Sequence, residues 1–73
     1  MEAEQVRDAL KAVPFVPFTL RMANDRVHHV DHPELAFVTS TGRSLVVEAV
    51  PGGVRILALE LVASIEHDEP ASA

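Results

Sequence analysis

The run from Pro14 to Glu34, Pro-Phe-Val-Pro-Phe-Thr-Leu-Arg-Met-Ala-Asn-Asp-Arg-Val-His-His-Val-Asp-His-Pro-Glu, constrains the fold more than any other stretch of the chain. Pro14 removes a backbone donor and disfavours the α region at Val13, so any preceding helix must stop there. Phe18, Leu20 and Met22 then alternate with Thr19, Arg21 and Ala23, the period of two expected of a half-buried strand. Asn24 and Asp25 both tolerate a left-handed backbone, which marks a tight turn, and Arg26 to Asp31 returns as a second strand. That strand breaks or bends at His32-Pro33, where proline removes a ladder donor. A helix handing over to a hairpin is thus written into the chain before any chemistry is.

The segment before Pro14 carries a helical pattern. Ala3, Val6, Leu10 and Val13 recur at spacings of three and four and form one stripe, while Glu2, Glu4, Gln5, Arg7, Asp8 and Lys11 fall elsewhere. Glu2 and Glu4 suit the positive end of the helix dipole and Lys11 the negative end. So short a helix is marginal alone in water, and its stripe must dock on the sheet that follows.

Beyond Pro33 the chain resumes as a strand from Leu35 to Thr39, turns at Ser40 to Arg43, and continues from Ser44 to Val50. Pro51-Gly52-Gly53 is the clearest turn signal. Val54 to Leu59 and Val62 to Glu66 read as the last strands. The pattern predicts an α+β, mainly β fold: an N-terminal helix, then a strongly bent antiparallel sheet of about five strands closing into a small barrel. Residues 1–66 are expected to form the one domain, and residues 67–73, polar and containing Pro70, a disordered tail.

Composition bounds what such a domain can be. With 73 residues there is room for one core, and domains this small bury only about 60% of the surface their unfolded chain exposes. The chain compensates with 48% hydrophobic residues, and only Phe15, Phe18 and Phe37 are aromatic; those positions read as core. There is no cysteine, so neither a disulfide nor a thiolate metal site adds stability, and a cytoplasmic location fits. Neither a signal peptide nor an apolar run approaching the ~18 residues of a membrane span is legible. A net charge of −5 opposes attraction to nucleic acid and to anionic membrane.

The order of elements resembles the Sm-like small barrel, the fold of Sm proteins and of the bacterial RNA chaperone Hfq. In that comparison Phe18 to Ala23 is the first strand, Arg26 to Thr39 the long bent second, and Leu45 to Val50, Val54 to Leu59 and Val62 to Glu66 the third to fifth. The chain also resembles small uncharacterised bacterial proteins with a Pro-Phe-x-Pro-Phe start, here Pro14 to Phe18, and a Val-x-His-Pro-Glu segment, here Val30 to Glu34. That second resemblance implies no activity. The first implies ring assembly through the last strands and, for its RNA-binding members, polar and basic residues between those strands. The matching stretch here, Leu57-Ala-Leu-Glu-Leu61, neither reads a base nor neutralises a phosphate.

Three constellations remain. Arg21, Arg26 and Arg43 near hairpin ends are the RNA-contact candidates; three solvated turn and edge arginines are the competing reading, favoured by the acidic balance. His28-His29-Val30-Asp31-His32 is the densest polar cluster, with His29, Asp31 and His32 as candidate zinc ligands if the chain kinks at Pro33. Exposed strand histidines are the simpler reading, and no cofactor is expected. No phosphate loop, thiol nucleophile or serine elbow is present, so no catalytic residue is assigned. Finally, Leu45-Val46-Val47 and Ile56-Leu57-Ala58-Leu59 are apolar at every position, where one-sided strands should alternate. Both faces then need cover, which makes Ile56, Leu57, Leu59 and Val62 the expected contacts of a homo-oligomer. The expected function is a non-catalytic, self-associating interaction module, with an Sm-like RNA-binding regulator as the alternative.

Overall fold

The chain passes from one small sheet to a second and back again, and a short 3-10 turn makes each crossing. A computed structural model describes residues 1–49 and 52–67. After helix α1 (Ala3–Lys11) come β1 (Phe18–Met22), β2 (Val27–Val30), β3 (Ala36–Val38), β4 (Ser44–Glu48), β5 (Val54–Ala58) and β6 (Val62–His67). One antiparallel sheet has the order β2-β1-β6 and the other the order β3-β4-β5. No helix among the described residues is long and apolar enough to cross a membrane.

Closure into a barrel is not what the chain does. Among the described residues, two separate three-stranded sheets stand in place of one bent five-stranded sheet. The physical reason lies in the two crossings. At His32-Pro33 the chain is cut rather than bent: Pro33–Leu35 forms a 3-10 turn, with the Leu35 amide donating to the His32 carbonyl at 3.1 Å. Pro33 has no N–H to carry a ladder through this point. Leu59–Leu61 forms a second 3-10 turn, which ends β5 at Ala58 and re-aims the chain into β6. The ladder is therefore interrupted at both places where a barrel would need continuity.

Local signals act as the residues suggest. The β1–β2 hairpin turns at Asn24-Asp25, where Asp25 takes φ 67° and the Asp25 amide donates to the Met22 carbonyl at 2.9 Å. The Asn24 side-chain oxygen accepts from the Arg26 amide at 3.0 Å, the short-range bond that suits asparagine to turns. Gly42 closes the β3–β4 turn at φ 73°, a conformation that costs glycine little. Of the Pro51-Gly52-Gly53 turn, Pro51 lies outside the described residues, as does Val50; the flanking Ala49 amide donates to the Gly53 carbonyl at 2.9 Å. His67 ends β6, paired with Phe18, and so belongs to the sheet; residues 68–73 of the expected tail lie outside the described residues.

The core lies between the inner sheet faces, under α1. Phe18, Leu20 and Met22 of β1, Val30 of β2, Ala36 of β3, Leu45 and Val47 of β4, and Leu57, Leu59 and Val62 are all buried. The helix contributes Val6 and Ala9, with Ala3 and Leu10 at the margin, and packs along β3. Val13 departs from the expected stripe at 95% exposure, because the helix ends at Lys11 and Ala12 is already extended. Once the chain leaves the helix, the spacing of three and four no longer sets a side chain's direction. Arg7 anchors α1 to the opposite turn, donating to Glu4 at 2.9 Å and to the Thr39 carbonyl at 3.3 Å.

Candidate functional site

Strand register sorts the remaining side chains by face. In an antiparallel pair, directly opposed residues point the same way, and successive residues alternate. On the β2-β1-β6 sheet, Thr19 opposes His29 and Glu66, and Arg21 opposes Val27 and Ser64. These positions form the outer face, and their polar groups find partners on it. Thr19 Oγ1 lies 2.8 Å from His29 Nδ1, Arg21 Nε donates to Glu66 at 2.9 Å, and the Ser64 hydroxyl donates to the same carboxylate at 3.2 Å. The Arg21 hydrogen bond and charge hold the Glu66 carboxyl below its usual range, and Glu66 in turn raises Arg21.

The outer face of the other sheet is different in kind. Phe37 opposes Val46, and Val46 opposes Ile56, so one residue from each strand lines up in a row across the sheet. Val54, opposite Glu48, extends the row along β5. Phe37 and Val54 are each 58% exposed and Ile56 is 73% exposed. Aliphatic side chains scattered singly on a surface are ordinary, but three strands contributing adjacent apolar groups to one face make a patch. Phe37 is therefore a surface residue, contrary to the expectation that every phenylalanine belongs to the core.

The expected interface residues divide along the same line. Leu57, Leu59 and Val62 point into the chain's own core and are not free to meet a partner; Ile56 alone of the four faces outward. Of the two faces of β5 expected to need cover, the inner one is covered by the chain itself at Leu57, and the outer one is exposed at Val54 and Ile56. Along β5, Val54, Arg55 and Ile56 are exposed and Leu57 is buried, and the 3-10 turn at Leu59–Leu61 then buries Leu59 and exposes Leu61. Sequence reasoning missed Phe37, Val46 and Val54. Their signal was parity: once Leu45 and Leu57 are inward, Val46 and Ile56 must be outward.

The RNA-contact candidates do not share a surface. Arg21 is bound to Glu66 on the polar outer face. Arg26 lines a groove of about 630 Å³ at the open end between the sheets, and Arg43 lines a separate hollow with Glu2, Gly42 and Glu60. The zinc candidates fare similarly. His29 is engaged with Thr19, Asp31 and His32 are exposed beyond the strand, and among the described residues no three acidic, histidine or cysteine side chains could hold a metal ion.

His28 is set apart from the other histidines. It opposes Leu20, so it points inward toward the second sheet, and it is half-buried. Burial lowers its pKa first, and the charges of Arg55, Arg26 and His29 lower it further. Comparison of the chain with family models, with curated proteins and with solved structures returns no match.

Proposed function

We propose that this chain is a non-catalytic interaction module that associates with a second copy of itself through the outer face of the β3-β4-β5 sheet. One observation carries the reading. Of the two outer sheet faces in the same small molecule, one carries paired polar groups around a single large exposed aliphatic, Val27, and the other presents Phe37, Val54 and Ile56 to solvent around a half-buried Val46. An adjacent cluster of exposed apolar groups on one face, against a face of mostly paired polar groups on the other, favours a partner for the first. A second copy fits because such a patch is self-complementary about a twofold axis, which places Phe37 of one protomer against the aliphatic row of the other. Association also relieves the thin stability margin of a 73-residue, cysteine-free chain. That lack of cysteine agrees with a cytoplasmic setting, which we include in the proposal.

Size-exclusion chromatography coupled to light scattering at micromolar concentration tests this. A homo-oligomer is expected. Ile56→Asp or Phe37→Asp should yield a folded monomer, because both positions are exposed in the single chain, whereas Leu57→Asp should unfold it. Thr41→Asp, on an exposed turn, should change neither. A native chain that elutes as a stable, well-folded monomer overturns the proposal.

A further inference from the structure

We propose that the groove at the open end between the two sheets is a phosphate-binding site built by Arg26, His28 and Arg55. The argument begins with an inversion of pattern. Arg26, His28 and Val30 alternate on β2 and its approach, and Val30 is fully buried. Arg26 and His28 therefore share the parity of the inner face, at the solvent-open end of the sheet where Arg26 is exposed and His28 half-buried. Arg55 opposes the buried Val47 and precedes the buried Leu57 by two, so it too stands on an inner face. Each sheet thus runs from aliphatic at its centre to cationic at the same end. Positions where a chain breaks its own hydrophobic pattern are where a local cost is accepted for a function.

The three side chains line the same groove, Arg26 and His28 from the β2 side and Arg55 from β5. The charges that bear on the His28 ring are those of Arg55, Arg26 and His29, all of one sign. Among the described residues the ion pairs are Arg7–Glu4 and Arg21–Glu66, so Arg26 and Arg55 have no carboxylate partner there. Asp25, Asp31 and Glu48 also border the groove. Asp25 does so from the β1–β2 turn, Asp31 from just beyond β2, and Glu48 from the end of β4, where its register is that of Val46. Cations and acids thus border the same groove, and none of these acids is within ion-pair distance of Arg26 or Arg55 among the described residues.

Two guanidinium groups with an imidazole suit a phosphate dianion, since the planar guanidinium donates in pairs to adjacent phosphate oxygens. The groove's volume, about 630 Å³, exceeds a bare phosphate and lies within the range of about 300–1,000 Å³ typical of small-molecule sites. Its apolar wall, Leu35, Val47 and Ala49, leaves space for the carbon skeleton of a phosphate monoester. The shared chemistry is the phosphate group, whether free or esterified.

Backbone amide NMR titration of the full chain tests the site, with inorganic phosphate in one arm and ribose 5-phosphate in the other, against chloride at matched ionic strength. Saturable shifts are expected in residues 26–29, 47–49 and 55. Tighter binding of the ester would assign the site to monoesters, and equal binding would assign it to free phosphate; both support it. Arg26→Gln and Arg55→Gln should each weaken binding about tenfold, the loss expected for a charge-assisted hydrogen-bonding group. Both positions are exposed, so the variants should fold. Arg43→Gln, in the separate hollow, should bind as the native chain does. Absence of saturable shifts in both arms, shifts centred on Arg43, or undiminished binding by Arg55→Gln would each overturn the proposal.

Discussion

At the scale of the residue, His28 carries the most consequence. An imidazole at an inward strand position is half-removed from water and feels the charges of two guanidinium groups lining the same groove, and both effects disfavour its protonated form. Because the folded-state pKa lies below the ordinary 6.5, the unfolded chain takes up this proton more readily than the folded one. Its contribution to stability is complete above that ordinary value and is lost as pH falls from there through the folded-state pKa. The groups facing it are Arg26 and His29 on its own strand and Arg55 from β5, with Asp25, Asp31 and Glu48 around the groove. We therefore expect melting temperature, followed in chloride buffers from mildly alkaline to mildly acidic pH, to fall less steeply for His28→Gln than for the native chain. Parallel slopes would show that His28 does not feel these charges.

At the scale of the element, direction within a helix or strand decides what each side chain is for. Val6 and Val13 carry the same side chain on what reads as one stripe, yet Val6 is fully buried and Val13 is 95% exposed. The helix ends between them. Val6→Ala removes two buried carbons and leaves a partial cavity, so it should cost roughly 1–2.5 kcal/mol in denaturant unfolding. Val13→Ala should stay within about 0.5 kcal/mol of the native chain. An equal cost for the two would mean that Val13 is covered. The strands obey the same logic with a period of two: Ile56 and Leu57 are neighbours in sequence and lie on opposite sides of their sheet.

At the scale of the whole molecule, charge and apolar surface act against each other. Each chain carries a net charge of −5, so two copies repel, while the proposed interface is apolar. Raising salt from about 0.1 M to about 1 M shortens the Debye length from about 10 Å to about 3 Å and strengthens apolar burial little by comparison. Self-association should therefore tighten with salt, as measured by sedimentation equilibrium. Weakening with salt would indicate an interface held by ion pairs and would point away from the Phe37–Val46–Ile56 row.

Much of the molecule was legible one segment at a time. The helix from Ala3, the alternation of Phe18, Leu20 and Met22, the Asn24-Asp25 turn, and the break at Pro33 are all local consequences of residue type, because propensity and periodicity act over a few residues. What lay beyond that reach is pairing. Whether Arg26 to Thr39 is one bent strand or two strands in different sheets depends on which distant segments complete each ladder, and β1 takes as its second neighbour β6, far along the chain. The outward row and the inward cations follow from that pairing. Phe37, Val46 and Ile56 become neighbours only when three strands align, and Arg55 comes to line one groove with His28 only when the two sheets face each other. The sequence by itself determined the elements and their alternating faces; the tertiary structure alone decided which face is covered and which charges meet, since both are properties of contacts between residues remote in the chain.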